Sequence, residues 1–246
     1  MNITLSVDTY SGVDGSSLSA TRCHQIVKVY EMLQVFGKKN MTYIEIQDEA
    51  QNAKLFGDTN AKSAIRTFFP LLKKIGFVNY DDSFRSDECF TELGTKFVLA
   101  CRALENVTDD TPNKKEVISR LEDIKQCIQK EGLAIMFLNK DYEKHNMWVA
   151  LKLLKVYGSI NWNAFLYALH CLETGFSLDE AIDEISKNKS MIDSINFVNE
   201  KGAILPNTCY SYIRSFLEET GLTRKINSRE CMLTNPVDKL FTIINI

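Results

Sequence analysis

The chain has no apolar run approaching the length of about 20 residues needed to cross a bilayer. Its opening, Met1-Asn2-Ile3-Thr4-Leu5-Ser6-Val7-Asp8, lacks the basic start and apolar stretch of a secretory signal. Neither a membrane span nor a signal peptide is therefore expected. CxxC pairs are also missing. The seven cysteines, at 23, 89, 101, 127, 171, 209 and 231, form an odd and scattered set. That pattern suits reduced thiols in a cytoplasmic protein better than a disulfide framework or a zinc site. Nor is there a surplus of basic charge. Twenty-nine Lys and Arg against 32 Asp and Glu leave a net charge of -3, which is not the charge of a nonspecific nucleic-acid coat. Any DNA contact has to come from local patches.

Recognisable catalytic constellations are missing as well. His24, His145 and His170 are far apart, and none has another His or Cys at structural-zinc spacing. Cys171 adjoins His170, but neighbours on a helix point in different directions and make no nucleophile–base pair. No Gly-rich loop is present to cradle a phosphate. The triplet Asp123-Ile124-Lys125, with Asp109 or Asp110 upstream, imitates the acid-x-Lys pattern of a metal-dependent nuclease. It falls inside an amphipathic helical stretch, where the strand geometry that holds such a metal does not arise. The expectation is a protein without catalysis of its own, without a metal and without a cofactor.

What is present is ordinary globular composition, 45% hydrophobic and 25% charged, in a chain long enough for two domains. Residues 1–20 are rich in Ser, Thr and Gly and read as an N-terminal arm with a short strand near residues 3–7. A helix from about 19–21 carries Ile26, Val27, Tyr30, Leu33 and Val35 on its inner side and ends near Gly37. A second helix follows Thr42. A third begins after Gly57-Asp58-Thr59-Asn60, with Ala61, Ile65, Phe68, Leu72 and Ile75 on one face, and stops at Gly76. Phe77–Tyr80 and Cys89–Thr91 read as the strands of a ribbon around a polar turn, and Thr91 caps the helix after it. Asp109–Asn113 looks like a boundary, with a connecting helix from about 114 to 131, so that 106–144 forms the linker.

The second half, 145–246, repeats the first. Helices near 145–157 and over Ile160–Leu169 precede Ser177-Leu178-Asp179-Glu180, which has capping-box spacing and opens a helical insertion near 177–200. Pro206-Asn207 leads into Tyr210–Leu217, which stops at Gly221. Leu222–Ile226 and Glu230–Leu233 then form a second ribbon, and Thr234 begins the closing helix. Ile65-Arg66-Thr67-Phe68 matches Ile213-Arg214-Ser215-Phe216. Glu88-Cys89-Phe90-Thr91 matches Glu230-Cys231-Met232-Leu233-Thr234 with one extra residue, and Lys96-Phe97 matches Lys239-Leu240. The shared order of helix, Gly, ribbon and helix makes this an internal duplication. The expected fold class is mainly α with small β-ribbons (α+β).

Both halves resemble winged-helix (winged helix-turn-helix) domains over about 21–105 and 145–246, with Phe90-Thr91-Glu92-Leu93-Gly94 resembling their wing-to-helix junction. The pair joined by a helical connector also resembles the tandem recognition regions of some type II restriction endonucleases. Pro70 inside the first recognition helix, where it should kink or interrupt the helix, and the insertion near 177–200 depart from the pattern. The resemblance implies double-stranded DNA as the partner, contacted by helices of about 60–75 and 207–220 and by the wings, in recognition such as restriction-modification or transcription regulation uses. Any nuclease activity would then belong to another chain or to a missing segment.

The charges mark the contacts. Between Asn60 and Tyr80 the charged residues are Lys62, Arg66, Lys73 and Lys74, with no acid. Ser63 and Thr67 lie beside them on a face suited to a major groove. Arg85 sits at the first wing tip among Asp81, Asp82, Asp87 and Glu88. In the second half the candidates are Tyr210, Tyr212, Arg214, Arg224, Lys225 and Arg229, the two tyrosines being equally suited to packing against neighbours. Glu173–Glu184 holds five acids and no base; it would face away from DNA or toward a protein partner. The rival reading is a protein-gripping scaffold, since tandem winged helices also occur in chromosome-condensation accessory subunits.

Overall fold

The computed structural model describes residues 3–7, 17–138, 146–205 and 208–246. Expectations for 8–16, His145, Pro206-Asn207 and the side chain of Cys209 lie outside them. In chain order the elements are β1 (Thr4–Ser6), α1 (Ala20–Phe36), β2 (Asn40–Met41), α2 (Tyr43–Asn52), α3 (Ala61–Lys74), β3 (Phe84–Arg85), α4 (Glu92–Glu105) and α5 (Lys114–Leu138). There follow α6 (Asn146–Tyr157), β4 (Ser159–Asn161), α7 (Trp162–Glu173), α8 (Leu178–Ile192), β5 (Asn196–Val198), α9 (Thr208–Glu219), β6 (Thr223–Asn227), β7 (Glu230–Leu233) and α10 (Lys239–Ile243). The described chain is thus mainly helical with small sheets. It divides into two compact units, residues 17–138 and residues 3–7 with 146–246.

In the first unit the starts of α1 to α4 are chemically marked. Ser19 accepts the Arg22 amide at the head of α1. Thr42 and Glu45 form a reciprocal capping box on α2, with the Thr42 amide 2.7 Å from the Glu45 carboxylate. Asn60 accepts the Ser63 amide of α3 at 2.9 Å. Ala61, Ile65, Phe68, Leu72 and Ile75 are all buried, as their spacing requires. Val35, by contrast, is 86% exposed. Pro70 does not interrupt α3. The carbonyl it deprives of an amide partner belongs to Arg66, an exposed residue, so solvent can replace the lost bond.

The first ribbon is more open than the sequence suggests. Only Val78 and Phe90 form a bridge, flanked by Asn79 N to Cys89 O at 2.8 Å and Thr91 N to Phe77 O at 3.0 Å. The polar turn is drawn elsewhere. Phe84–Arg85 pairs antiparallel with β2, and the 3₁₀ turn at Ser86–Glu88 is fixed by Ser86 N to Lys39 O at 3.0 Å and by Ser86 Oγ to Gly37 O at 2.5 Å. At the junction that follows, Thr91 Oγ1 donates to Gly76 O at 2.7 Å and accepts the Gly94 amide at 3.0 Å. Gly94 is required there: a Cβ would stand 1.9 Å from the Phe77 carbonyl oxygen. α5, expected as a free connector, belongs to this unit. It packs on α4, and Gly132 lets it approach the Ile75 carbonyl and the Phe77 ring.

The second unit repeats this order with insertions. Asn161 caps α7 through the Ala164 amide at 2.7 Å. The sheet order is β4-β7-β6, all antiparallel, so the strand after the first helix pairs with the return strand of the ribbon; in the first unit β2 pairs instead with Phe84–Arg85 of the turn, ahead of the return strand. Matching bonds recur: Thr234 N to Leu222 O at 2.9 Å corresponds to Thr91 N to Phe77 O at 3.0 Å. Gly76 and Gly221 both end their helices with positive φ, 72° and 68°. Cys89 and Cys231, and Phe97 and Leu240, are buried in pairs.

Two expectations are corrected in this unit. Thr234 does not cap the closing helix; Asn235-Pro236 intervene, and Asp238 caps α10 through the Leu240 amide at 2.9 Å. The N-terminal arm is not separate over residues 3–7. β1 lies parallel to β5, Leu5 opposite Phe197, and Val7 is 1% exposed.

Gly94→Ala should lower the stability of the first unit by about 1–3 kcal/mol or more, because the clash is with backbone and cannot be relieved by a rotamer change. A fall in the urea midpoint with α4 lost from amide-exchange protection would show this. An unchanged midpoint would contradict the geometry.

Candidate nucleic-acid interface

α3 turns one face outward, carrying the residues singled out in the sequence, but the fold brings acids to it. Lys62 Nζ lies 2.5 Å from Asp48 of α2. Lys73 Nζ donates to Tyr80 O at 2.7 Å, stands 3.5 Å from Asp81 and sits 4.7 Å over the Tyr80 ring. Arg85 is held by Asp87 at 2.7 Å and Glu88 at 2.8 Å. Arg66 meets a neutral partner: its Nε donates to Gln47 Oε1 at 2.7 Å, while Gln47 donates to Tyr43 O at 3.2 Å. Ser63 is exposed, Thr67 and Lys74 half-buried, and Thr67 Oγ1 donates to Ser63 O at 2.8 Å. The acid-free stretch of sequence is therefore not an acid-free surface. Asp48 is fourteen positions from Lys62 on another helix, and no periodicity announces that pair. Each such exposed pair contributes only about 0–1 kcal/mol and yields readily to a phosphate.

In the second unit two of the helix candidates, Tyr210 and Arg214, are turned inward. Tyr210 is 1% exposed; its hydroxyl donates to Ile160 O at 2.8 Å, and its ring packs on Trp162 and Phe165, each 5.6 Å away. Burial pushes its phenol well above the usual range. Arg214 is also buried. Its guanidinium donates to Asn227 O at 3.1 Å and to Ser228 O, with Nε 3.5 Å from Glu218. Tyr212 is half-buried, and no described side chain of α9 is fully exposed. Arg224, Lys225 and Arg229 of the ribbon are exposed and take part in no ion pair among the described residues.

Arg66 and Arg214, which occupy matching positions in the sequence pattern, thus have opposite roles. The tight second ribbon places two turn carbonyls, Asn227 and Ser228, within reach of α9, and Arg214 closes on them. The first ribbon opens at that point, so Arg66 remains on the surface. Arg214 is a residue that positions the ribbon, and sequence spacing alone does not distinguish it from its exposed counterpart.

Elsewhere, Asp123-Ile124-Lys125 lies within α5, with Lys125 2.5 Å from Glu122. No group of three metal-ligating side chains occurs among the described residues, and no helix among them is long and apolar enough to cross a membrane. The acids of 173–184 occupy the end of α7 and the start of α8, where the capping box with Ser177 holds the Glu180 carboxyl below its ordinary range. Burial raises the Cys89 thiol to about 12 and those of Cys171 and Cys231 to about 11. Cys101 is raised by its hydrogen bond with Cys23 and by burial. Cys127 is exposed.

Comparison with protein-family models, with curated proteins and with solved structures gives no match for this chain.

Arg214→Lys should cost about 1–3 kcal/mol in unfolding free energy, since a lysine cannot reach both carbonyls and Glu218. Arg66→Lys should stay within about 0.5 kcal/mol. Faster amide exchange at Asn227–Arg229 in the first variant alone would confirm the difference. Brief alkylation of the native protein at pH 8 should modify Cys127 and spare Cys23, Cys89, Cys101, Cys171 and Cys231, which peptide mass mapping will read; labelling of Cys89 or Cys231 at the rate of Cys127 would refute this.

Proposed function

We propose that the chain is a duplex-DNA-binding protein built from two winged-helix modules that use different parts of the motif. In each unit a helix directly precedes the ribbon, and the strand after the first helix pairs with the chain that follows the ribbon's first strand, at the turn in the first unit and at the return strand in the second, an order that supports the winged-helix reading. The first module engages DNA through α3, with Arg66 placed to read a base edge and Lys62, Lys73 and Lys74 placed to exchange carboxylates or neighbouring groups for phosphates. The second module leads with its wing. The observation that carries the proposal is the trio Arg224, Lys225 and Arg229, exposed and outside ion pairs on a ribbon held by Arg214. Cations without protein partners are those whose transfer to phosphate costs no broken pair.

The competing protein-gripping reading draws its support from the neutralised cations of the first unit, Lys62 with Asp48 and Arg85 with Asp87 and Glu88. A stoichiometric protein partner together with no DNA affinity would favour it. The chain is proposed to have no catalysis of its own; metal-dependent cleavage of DNA abolished by Asp123→Asn would overturn that.

Duplex binding should weaken steeply with salt. Changing Arg224, Lys225 and Arg229 together to alanine should reduce the log–log salt slope by about 2–3. Arg66→Ala should cost about 1–3 kcal/mol, more on some sequences than others. Fluorescence anisotropy across a salt series measures both. Absence of duplex binding at low salt, or a triple variant with an unchanged slope, would end the proposal.

A further inference from the structure

Between the inserted helix α8 and the three-stranded sheet, the second unit leaves a polar cavity. Two clamps hold α8 against its neighbours. Near the middle of the helix, Tyr157 Oη donates to Ile182 O and meets Ser186 Oγ at 2.8 Å. At its end, Asn163 Nδ2 donates to Ile192 O at 3.0 Å and to Asp193 O at 3.1 Å, and Asn161 Nδ2 donates to the Asp193 carboxylate at 3.1 Å. Ser186 and Asp193 lie about 10 Å apart along a helix axis, and α8 kinks between them at Asn188. A partly enclosed cavity of about 140 Å³ remains there. A cavity of roughly 150 Å³ elsewhere admits benzene, so this one suits a molecule of about six to nine heavy atoms.

The lining carries charges of both signs that are not matched to each other. Lys189 of α8 is exposed and makes no ion pair or side-chain hydrogen bond among the described residues. Asp193 stands one turn further along, and Glu230 lines the cavity from β7, opposite Asn161 in the ladder. Each carboxylate accepts from one neutral side-chain amide, Asp193 from Asn161 and Glu230 from Asn227 at 3.3 Å, which leaves each an oxygen for another donor. The Ser159 hydroxyl is likewise without a partner among the described residues. The rest of the wall is apolar, formed by Ala164 with Ile185 and Ile192, which are 4% and 1% exposed.

This lining selects its ligand. A simple anion is repelled by Asp193 and Glu230, and a simple cation by Lys189. A neutral molecule would cover the ammonium without supplying a counter-charge. A small zwitterion satisfies both signs at once, through charge-assisted hydrogen bonds. We propose that the cavity binds a free α-amino acid with an aliphatic side chain. The ligand's carboxylate takes the Lys189 ammonium, its own ammonium takes the remaining oxygens of Glu230 and Asp193, and its side chain lies on Ala164, Ile185 and Ile192. The site stands on the cavity alone and does not depend on whether the ribbon binds DNA.

The test is isothermal titration calorimetry of the full chain with L-leucine and L-valine. Isocaproate and isoamylamine, which each keep one of leucine's two charges, serve as controls. At least one of the amino acids should bind, one per chain, and each control should bind at least about tenfold more weakly than leucine. Amide NMR shifts should fall on Ser159, Asn161, Lys189 and Glu230. Lys189→Met and, separately, Glu230→Gln should weaken binding about tenfold or more with circular dichroism unchanged. Lys187→Met, on the same helix but outside the cavity, should leave the affinity as it was. No saturation by either amino acid at millimolar concentration would overturn the proposal. So would controls that bind as well as leucine, shifts confined to other residues, or full affinity in the Lys189→Met variant. If a variant unfolds, the amino acids and their single-charge controls on the unaltered chain still decide.

Discussion

In the first unit the carbonyl of Phe77 accepts the Thr91 amide, and Gly94 lies against it so closely that a single added methyl would collide. Thr91 bonds at the same point to the Gly76 carbonyl and to the Gly94 amide. The return chain of the ribbon and the first turn of α4 are thereby fixed to the end of α3, and the Phe77 and Phe97 rings, 4.8 Å apart, continue the contact into the core. α5 then covers the junction through Gly132. α4 takes its placement from that backbone oxygen and α5 from the Ile75 carbonyl and Phe77 ring beside it, so the exposed face of α3 is braced by what lies behind it.

The parts legible in sequence were those decided locally. The α3 face, the Ser177 capping box, the glycines that end α3 and α9, and the second ribbon follow from spacing and from cap chemistry. What was not legible depended on partners remote in sequence. The open first ribbon answers to β2 and to the Gly37 and Lys39 carbonyls, half a unit away. Asp48 reaches Lys62 from another helix. Tyr210 and Arg214 look like surface residues from their polar groups, yet the Ile160, Asn227 and Ser228 carbonyls satisfy those groups inside the fold. A buried polar side chain is invisible until its acceptors are placed.

The two units share part of a frame and differ in their surfaces. The same main-chain bonds recur at Thr91 and Thr234, and the same glycine conformations at Gly76 and Gly221, while equivalent arginines face opposite ways. The tightness of a turn two elements downstream decides whether the arginine faces solvent or braces the ribbon. Surface chemistry can thus move from helix to ribbon while the scaffold stays constant.

The parallel pairing of β1 with β5 makes the second unit discontinuous in sequence, with the entire first unit inserted between its two parts. During synthesis the first unit can close on itself as soon as α5 has emerged. β1 must meanwhile wait, unpaired, for a partner made much later, so its pairing is among the most nonlocal contacts in the protein. Completion of the second unit then signals that the inserted one has already been made, and a chain that stops early leaves a strand edge open to the wrong neighbour.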